Sequence, residues 1–411
     1  MDKKQVGAWA LFDFANSIYP AVITTVAFNY FFIQVVVGNE AGEGDWWWGR
    51  AVGLSAAIVA LTSPLLGAIA DRAGARKRFM LIYVAVCVTG VVLFSTIEPG
   101  MIGRAFILFI IANVGFEGAL VFYNAYLPEI APKEKQGWVS GLGFGIGYLG
   151  SAGGLVLILP FFTDGEFATT WFIVAIFFAL FSIPTFLILP KDRRGDMKVT
   201  AAARWGITNL GAIVREVMRH RDLAWFLLAF FFYIDGVLTA IVMASTLAVT
   251  TFGFTRDETV ILFLVVQFSA LLGAFALAKP TDIWGPKRVL TIVLVVWIVA
   301  ALSVYVVQSK PAFFVLAVGA GLGLGSAQAA SRAFMSSLIP QGRESEMFGF
   351  YALCGKSSSI LGPNLFGYVA VVTGGNQRLS VMAISVLFIV GLILLQRVRD
   401  PKAVARGPAA A

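Results

Sequence analysis

Twelve stretches of the 411-residue chain are apolar for long enough to cross a bilayer, and this recurrence restricts the fold more than any other feature. A spanning helix takes about 20 predominantly apolar residues. The stretches run over 8–36, 47–70, 79–97, 102–127, 138–162, 167–189, 222–250, 257–278, 288–308, 311–338, 347–373 and 376–396. Inside hydrocarbon each backbone N–H and C=O must be satisfied within the chain. Segments of this length are therefore helices, since barrel strands are only half as long. Composition agrees: 59% of residues are hydrophobic and 13% charged, against roughly 25% charged in soluble domains.

The basic residues orient the bundle. With both termini cytoplasmic, 24 of the 31 Lys and Arg fall on that side and five on the other. Positive charge is retained on the cytoplasmic side during insertion, so this orientation is favoured over its inverse. The formal charge of +8 is then a topology signal and not a nucleic-acid footprint. Trp46, Trp47 and Trp48 suit an interfacial belt at the outer end of the second segment. Cys87 and Cys354 both lie in apolar segments and imply no disulfide framework. His220 is the single histidine, which argues against a His-based metal site. No nucleophile–base or metal constellation appears, so neither an enzyme nor a cofactor is expected. The first segment follows Lys3 and Lys4, contains Asp13 and Asn16, and is read as a retained helix.

The loops are short except for 190–221, which predicts four parts. These are an N-terminal six-helix bundle (1–189), a cytoplasmic linker (190–221), a C-terminal six-helix bundle (222–396) and a cytoplasmic tail (397–411). From Arg204 to His220 an apolar stripe at Leu210, Ile213, Val214, Val217 and Met218 predicts an amphipathic helix on the membrane surface. The two halves repeat. Asp71 before Gly74 recurs as Asp282 before Gly285, followed by Lys287 and Arg288. YLPEIAPKE around Pro128 recurs as SLIPQGRES around Pro340, and Leu149-Gly150 as Leu361-Gly362. Three matches at shifts of 211, 212 and 212 residues imply parallel halves.

The loop GAIADRAGARKR (67–78) carries Gly67, Asp71, Arg72, Gly74, Arg76 and Lys77. Gly74 permits a tight reversal, and Asp71 sits where it can pair with basic neighbours or with the N-terminal dipole of a facing helix. A loop of this composition also serves as a plain topology determinant. Its spacing resembles the signature between the second and third helices of the major facilitator superfamily, with Ala75 where the family often has Arg. The resemblance implies two pseudo-symmetric six-helix bundles and a gating role for this loop and for Asp282, Gly285, Lys287 and Arg288. Ala278 stands where the second copy should have its leading glycine, so the first copy is expected to matter more. Gly145, Gly147 and Gly150 also fit a dinucleotide fingerprint, but no strand precedes them, and close helix packing is the better reading.

An ionisable group within the bilayer costs about 2.5–3.5 kcal/mol even on lenient scales and marks function by default. Asp13, Glu117, Asp235, Arg332 and Lys356 stand out. Four of them fall on the first, fourth, seventh and tenth segments, which line the central cavity in the resembled superfamily. Asp13 is expected to pair with Arg332 or Lys356 as a gate, and Glu117 and Asp235 to be proton-linked; permanent structural ion pairs are the other reading. Asn16, Tyr19, Tyr123, Asn124 and Gln328 lie close by in sequence and complete the candidate pathway.

WALFDFANSIY (9–19), FYNAYLPEIA (122–131) and the residues from Ser326 through Arg332 and Gly342-Arg343-Glu344 to Lys356 resemble one branch of that superfamily. It holds bacterial proteins of unassigned substrate and fungal vacuolar amino-acid effluxers linked to autophagy. The resemblance implies a monomeric secondary transporter of a small polar solute such as an amino acid, coupled to protons, in a bacterial inner membrane. An exporter of drug-like or lipid-like amphiphiles and a non-transporting sensor or scaffold are the alternatives.

Overall fold

The computed structural model describes residues 1–40 and 42–400. The expected tail beyond residue 400 lies outside them. Among the described residues eleven helices are long and apolar enough to span a membrane. They are α1 (Lys3–Val37), α2 (Glu43–Ala73), α3 (Arg76–Thr96), α4 (Ile102–Ile130), α5 (Lys133–Thr163), α6 (Phe167–Ile188), α9 (Arg221–Phe252), α10 (Glu258–Trp284), α11 (Pro286–Ser303), α12 (Lys310–Leu338) and α15 (Gln377–Gln396). The linker supplies α7 (Val199–Thr208) and α8 (Leu210–Arg219). The twelfth apolar stretch, 347–373, is helical but interrupted: α13 (Glu344–Ser357) and α14 (Leu361–Val372) flank a single tight turn, Ser358–Ile360.

That interruption has a local cause. The Ser358 hydroxyl donates back to the Gly355 carbonyl at 2.8 Å, a side-chain bond that competes with the helix ladder. Pro363 then falls in the first turn of α14, where its missing N–H costs nothing. Pro20 acts similarly in α1. From Tyr19 to Val26 the helix widens to π turns, and the Thr24 and Thr25 hydroxyls donate to the Pro20 carbonyl at 2.7 and 2.8 Å. The stripe from Leu210 to Met218 falls within α8, but the helix expected from Arg204 to His220 is not continuous. It breaks at Asn209, whose amide folds back onto the Trp205 carbonyl at 2.9 Å. Its first piece, α7, packs on α2, with Ala202 and Gly206 buried.

The chain forms two compact units. One comprises Met1–Ile130, Ile146–Leu210 and Gln341–Leu353; the other comprises Ala131–Gly145, Gly211–Pro340 and the residues from Cys354 onward. Within the first, α1 packs on α6, α2 on α4, and α3 on both α4 and α6. Within the second, α9 packs on α15, α10 on α12, and α11 on both α12 and α15. The same four pairings recur in the same order, which is the three-dimensional counterpart of the repeat in sequence. In the first unit an aromatic core centres on Phe28, whose ring lies 4.0 Å from Phe94 and 5.8 Å from Phe109.

Candidate transport and gating sites

In the first unit α2 ends at Gly74, which takes a left-handed conformation (φ 57°) and turns the chain into α3. Asp71, on the last turn of α2, accepts the backbone N–H of Ser345 at 3.1 Å and that of Glu346 at 2.8 Å. These are the second and third residues of α13. They are the N–H groups that an N-cap side chain would ordinarily satisfy. Asp71 thus caps a helix whose bonded residues lie 274 and 275 positions downstream, and sets a carboxylate on its positive end. Gly67, one turn before, makes the approach feasible: a Cβ there would overlap the Ser345 carbonyl.

Arg76, at the start of α3, ties this cap to three carboxylates. Its guanidinium lies 3.6 Å from Asp71, 3.2 Å from Glu129 and 3.0 Å from Glu344. It also donates to the Ser345 hydroxyl and the Ala125 carbonyl, each at 3.1 Å. Lys77 donates through Nζ to the Phe186 and Leu189 carbonyls at the end of α6, at 3.2 and 2.6 Å. Its backbone N–H donates to Asp192 of the linker at 2.9 Å. Arg72 stacks on Trp205 of α7 at 3.4 Å.

The second unit repeats the cap. Asp282 accepts the N–H of Gly137 at 2.7 Å and of Trp138 at 2.8 Å. These follow Gln136, where the regular helix of α5 begins. Ala278, in place of the leading glycine, is accommodated because Gly141 faces it; a Cβ on Gly141 would overlap the Ala278 Cβ. Gly285 has a positive φ of 96°. Lys287 donates to the carbonyls of Gln396 and Val398 at 2.9 and 2.7 Å, as Lys77 does to the end of α6. Arg288 is exposed.

The candidate pathway residues divide between the units. In the first, Asp13 and Asn16 are buried on α1, and the Asn16 amide donates to the Phe12 carbonyl at 2.7 Å. Tyr19 is fully buried, its ring stacked on Phe116 at 4.6 Å. Glu117 and Asn124 are half-buried on α4. Tyr123 clamps α4 to α1. Its hydroxyl donates to the Trp9 carbonyl at 3.0 Å, the Trp9 indole donates to the Tyr123 carbonyl at 3.1 Å, and the rings stack at 4.6 Å. In the second unit, buried Arg332 donates to the Ser140 hydroxyl and carbonyl at 3.0 and 2.8 Å, with its guanidinium 4.0 Å from the Phe144 ring. Gln328 is half-buried on the turn before it. Lys356 is half-buried on the last turn of α13, at the edge of the interruption. Asp235, 0% exposed, reaches the far side of that interruption. It accepts the Gly362 N–H at 2.9 Å and the Thr239 hydroxyl at 3.2 Å.

Several residues of these arrangements are not evident from the loop motifs. Glu129 and Glu344 complete the Arg76 cluster, and both lie in the repeated YLPEIAPKE and SLIPQGRES stretches. That repetition was the available signal. Asp192 lies in the linker run KDRRGD, where its charge looks like one of many. Ser140 and Thr239 carry no signal, since single hydroxyls in apolar segments commonly bond their own backbone.

The sequence matches the family described as "Vacuole effluxer Atg22 like" over residues 50–406. It is 29% identical over 405 residues to an uncharacterized MFS-type transporter, YxiO, of Bacillus subtilis (strain 168), covering 95% of this chain and 94% of that one. It is 26% identical to autophagy-related protein 22 of Yarrowia lipolytica, covering 79% and 71%. Among solved structures it resembles the human organic anion transporter MFSD10 (TM-score 0.78, 15% identity, 96% and 100% covered). It also resembles the major facilitator proton:xylose symporter XylE (TM-score 0.72, 14% identity, 97% and 96% covered). At such identities the structural matches show the fold alone, which is the major facilitator fold. The chain is an integral, multi-pass membrane protein of the Atg22-like family of major facilitator transporters, and not an enzyme.

Proposed function

We propose that this transporter moves a small polar solute, an amino acid being the leading candidate, by alternating access coupled to protons. The observation that carries the coupling is Asp235. An ionised carboxylate there holds the first turn of α14 through a charge-assisted bond to Gly362, just past the interruption that follows Lys356. A proton arriving at Asp235 removes that charge and weakens the bond, which loosens the interrupted helix beside a cationic side chain. Broken helices of this kind mark binding regions in many transporters. Glu117 is the second proton-linked candidate. The autophagy-related relatives support an amino-acid solute, and acidic and basic side chains in the membrane-spanning helices suit a zwitterion. Asp71 and Asp282 are the gating residues of this reading: each caps a helix start with a contact that can be made and broken. The bundle sits in a bacterial inner membrane with both termini cytoplasmic, as the distribution of Lys and Arg favours.

The test is purified protein in liposomes with an imposed proton gradient and a panel of amino acids and small metabolites. Gradient-driven uptake of one solute, uncoupled by Asp235→Asn or Glu117→Gln, is the expected result. Uptake of that solute that ignores the gradient, or gradient-driven uptake that both variants retain, overturns proton coupling at these residues.

A further inference from the structure

Where α8 runs into α9, an open apolar stripe lies beside a group of cations that the solute pathway does not use. Val214 and Met218 stand one turn apart on α8 and continue a line that starts at Leu210. They are 53% and 65% exposed, whereas Ile213 and Val217, on the adjoining face, are buried. Arg215 and Arg219, on the other side of the stripe, are exposed. The helix is thus divided lengthwise into a face held by protein, an open aliphatic face and a basic edge. Its level follows from the chain. A single residue, His220, separates Arg219 from α9, which spans the membrane from Arg221. The open face therefore lies where hydrocarbon gives way to headgroups, and acyl chains can cover it.

The stripe alone does not show how many cations gather there. After α15 ends at Gln396, the chain folds back onto the start of α9. The Arg399 backbone N–H donates to the Asp222 carboxylate at 2.9 Å, and the Arg397 guanidinium lies 4.8 Å from the centre of the Trp225 ring. Arg221, Arg397 and Arg399 are exposed. Five exposed arginines from two distant segments thus meet at one corner. The acids among them, Glu216, Asp222 and Asp400, are all half-buried. Glu216 is engaged 3.5 Å from Arg219 and 3.4 Å from His220. The outward charge is therefore positive. A guanidinium pairs in bidentate fashion with phosphate oxygens. A cluster of about four to eight basic residues on an amphipathic helix, or just outside a spanning one, is the pattern that attracts anionic lipid.

We propose that this corner is a docking surface for anionic phospholipid, with Val214 and Met218 among the acyl chains and Arg215, Arg219, Arg221, Arg397 and Arg399 at the headgroups. A zwitterionic leaflet covers the stripe but leaves the positive charge uncompensated, so the surface discriminates between lipids by charge. It is independent of the transported solute.

The experiment is hydrogen exchange on the full chain in nanodiscs of phosphatidylcholine alone and of phosphatidylcholine with phosphatidylglycerol. Both leaflets of a nanodisc are accessible, so the result does not depend on orientation. The amides of 213–219 are expected to exchange more slowly when phosphatidylglycerol is present, and added salt is expected to shrink the difference. The loop 163–167, with Asp164 and Glu166 and no cation, is the reference and is expected not to change. One arginine near the surface contributes about fivefold to affinity for anionic lipid. Arg215→Gln with Arg219→Gln should therefore raise the fraction of phosphatidylglycerol that half-protects these amides by roughly 25-fold. Arg215→Lys with Arg219→Lys keeps the charge and should keep the protection. Equal exchange at 213–219 in the two lipids overturns the surface, and this result depends on no variant. Protection that the glutamine pair retains in full overturns the assignment to these arginines.

Discussion

Replacing Asp71 with asparagine tests whether the capped helix start is held by charge or by shape alone. The side chains are nearly isosteric, so the geometry against Gly67 is preserved. What changes is the bonding. Asp71 offers two charged oxygens to two N–H donors, at 3.1 and 2.8 Å. A hydrogen bond to a charged group contributes about 1.5–3 kcal/mol, against about 1 kcal/mol for a neutral pair. Asparagine retains one neutral acceptor and turns an NH₂ group against the other donor. Arg76 loses one anion at 3.6 Å but keeps Glu344 at 3.0 Å and Glu129 at 3.2 Å, so the cation stays paired. The local loss is therefore one charged bond plus the weakening of another, at least about 2 kcal/mol. Since 1.4 kcal/mol is a factor of ten, the Ser345 and Glu346 amides should exchange with solvent deuterium at least roughly 30-fold faster. Hydrogen exchange on the full chain in nanodiscs reads those amides directly. Asp282→Asn serves as the internal control, expected to accelerate Gly137 and Trp138 and to leave Ser345 and Glu346 alone. Unchanged exchange at Ser345 and Glu346 in Asp71→Asn would refute the cap.

Three other substitutions probe separate contacts, each read by the melting midpoint of purified protein. Gly362→Ala puts a Cβ into the Thr239 hydroxyl and 2.6 Å from the Asp235 carboxylate; a cost of about 1–3 kcal/mol is expected from overpacking, partly recovered by adding Thr239→Ala. Tyr123→Phe deletes the hydroxyl given to the Trp9 carbonyl but keeps the ring stack. It should cost about 1 kcal/mol and spare transport, whereas loss of uptake without loss of stability would make that hydroxyl part of the pathway. Gly141→Ala should cost about 1–3 kcal/mol by the same overpacking, and Ala278→Gly in the same chain should recover only part of it, because the Ala274 carbonyl stays 2.7 Å from the added Cβ.

Apolar length and the distribution of Lys and Arg were enough to read a helical membrane bundle, because hydrocarbon imposes one backbone solution on long apolar segments. The repeat was legible for a related reason: two halves under the same packing rules keep the same residues at the same spacing. The interruption at Ser358–Ile360 was not legible. Its stretch satisfies the same apolar criterion as its neighbours, and it breaks only because a serine and a proline act within five residues of each other. The linker was legible only in part. The apolar stripe from Leu210 to Met218 falls within α8, while Ala202 and Gly206 of α7, outside that stripe, pack on α2, a partner that no periodicity identifies. Asp71 shows the limit most clearly. The motif places a carboxylate at a helix end, yet the N–H groups it caps are 274 and 275 residues away.

The second loop shows what a motif judged one position at a time leaves out. Ala278 in place of glycine makes that copy look degraded, and close approach to a helix start would then be blocked. Close approach, however, is a property of two facing surfaces, and it needs a small residue on either one. In the first unit Gly67 supplies it from the helix that bears the aspartate. In the second, Gly141 supplies it from the helix that receives the carboxylate. Asp282 accordingly makes bonds of 2.7 and 2.8 Å, no longer than those of Asp71. Lys287 is spent on the carbonyls of Gln396 and Val398, as Lys77 is on those at the end of α6. In the first copy Arg76 joins the cap to Glu129 and Glu344 as well. Added salt should therefore loosen the Arg76 cluster, and faster hydrogen exchange at Ser345 measures that loosening.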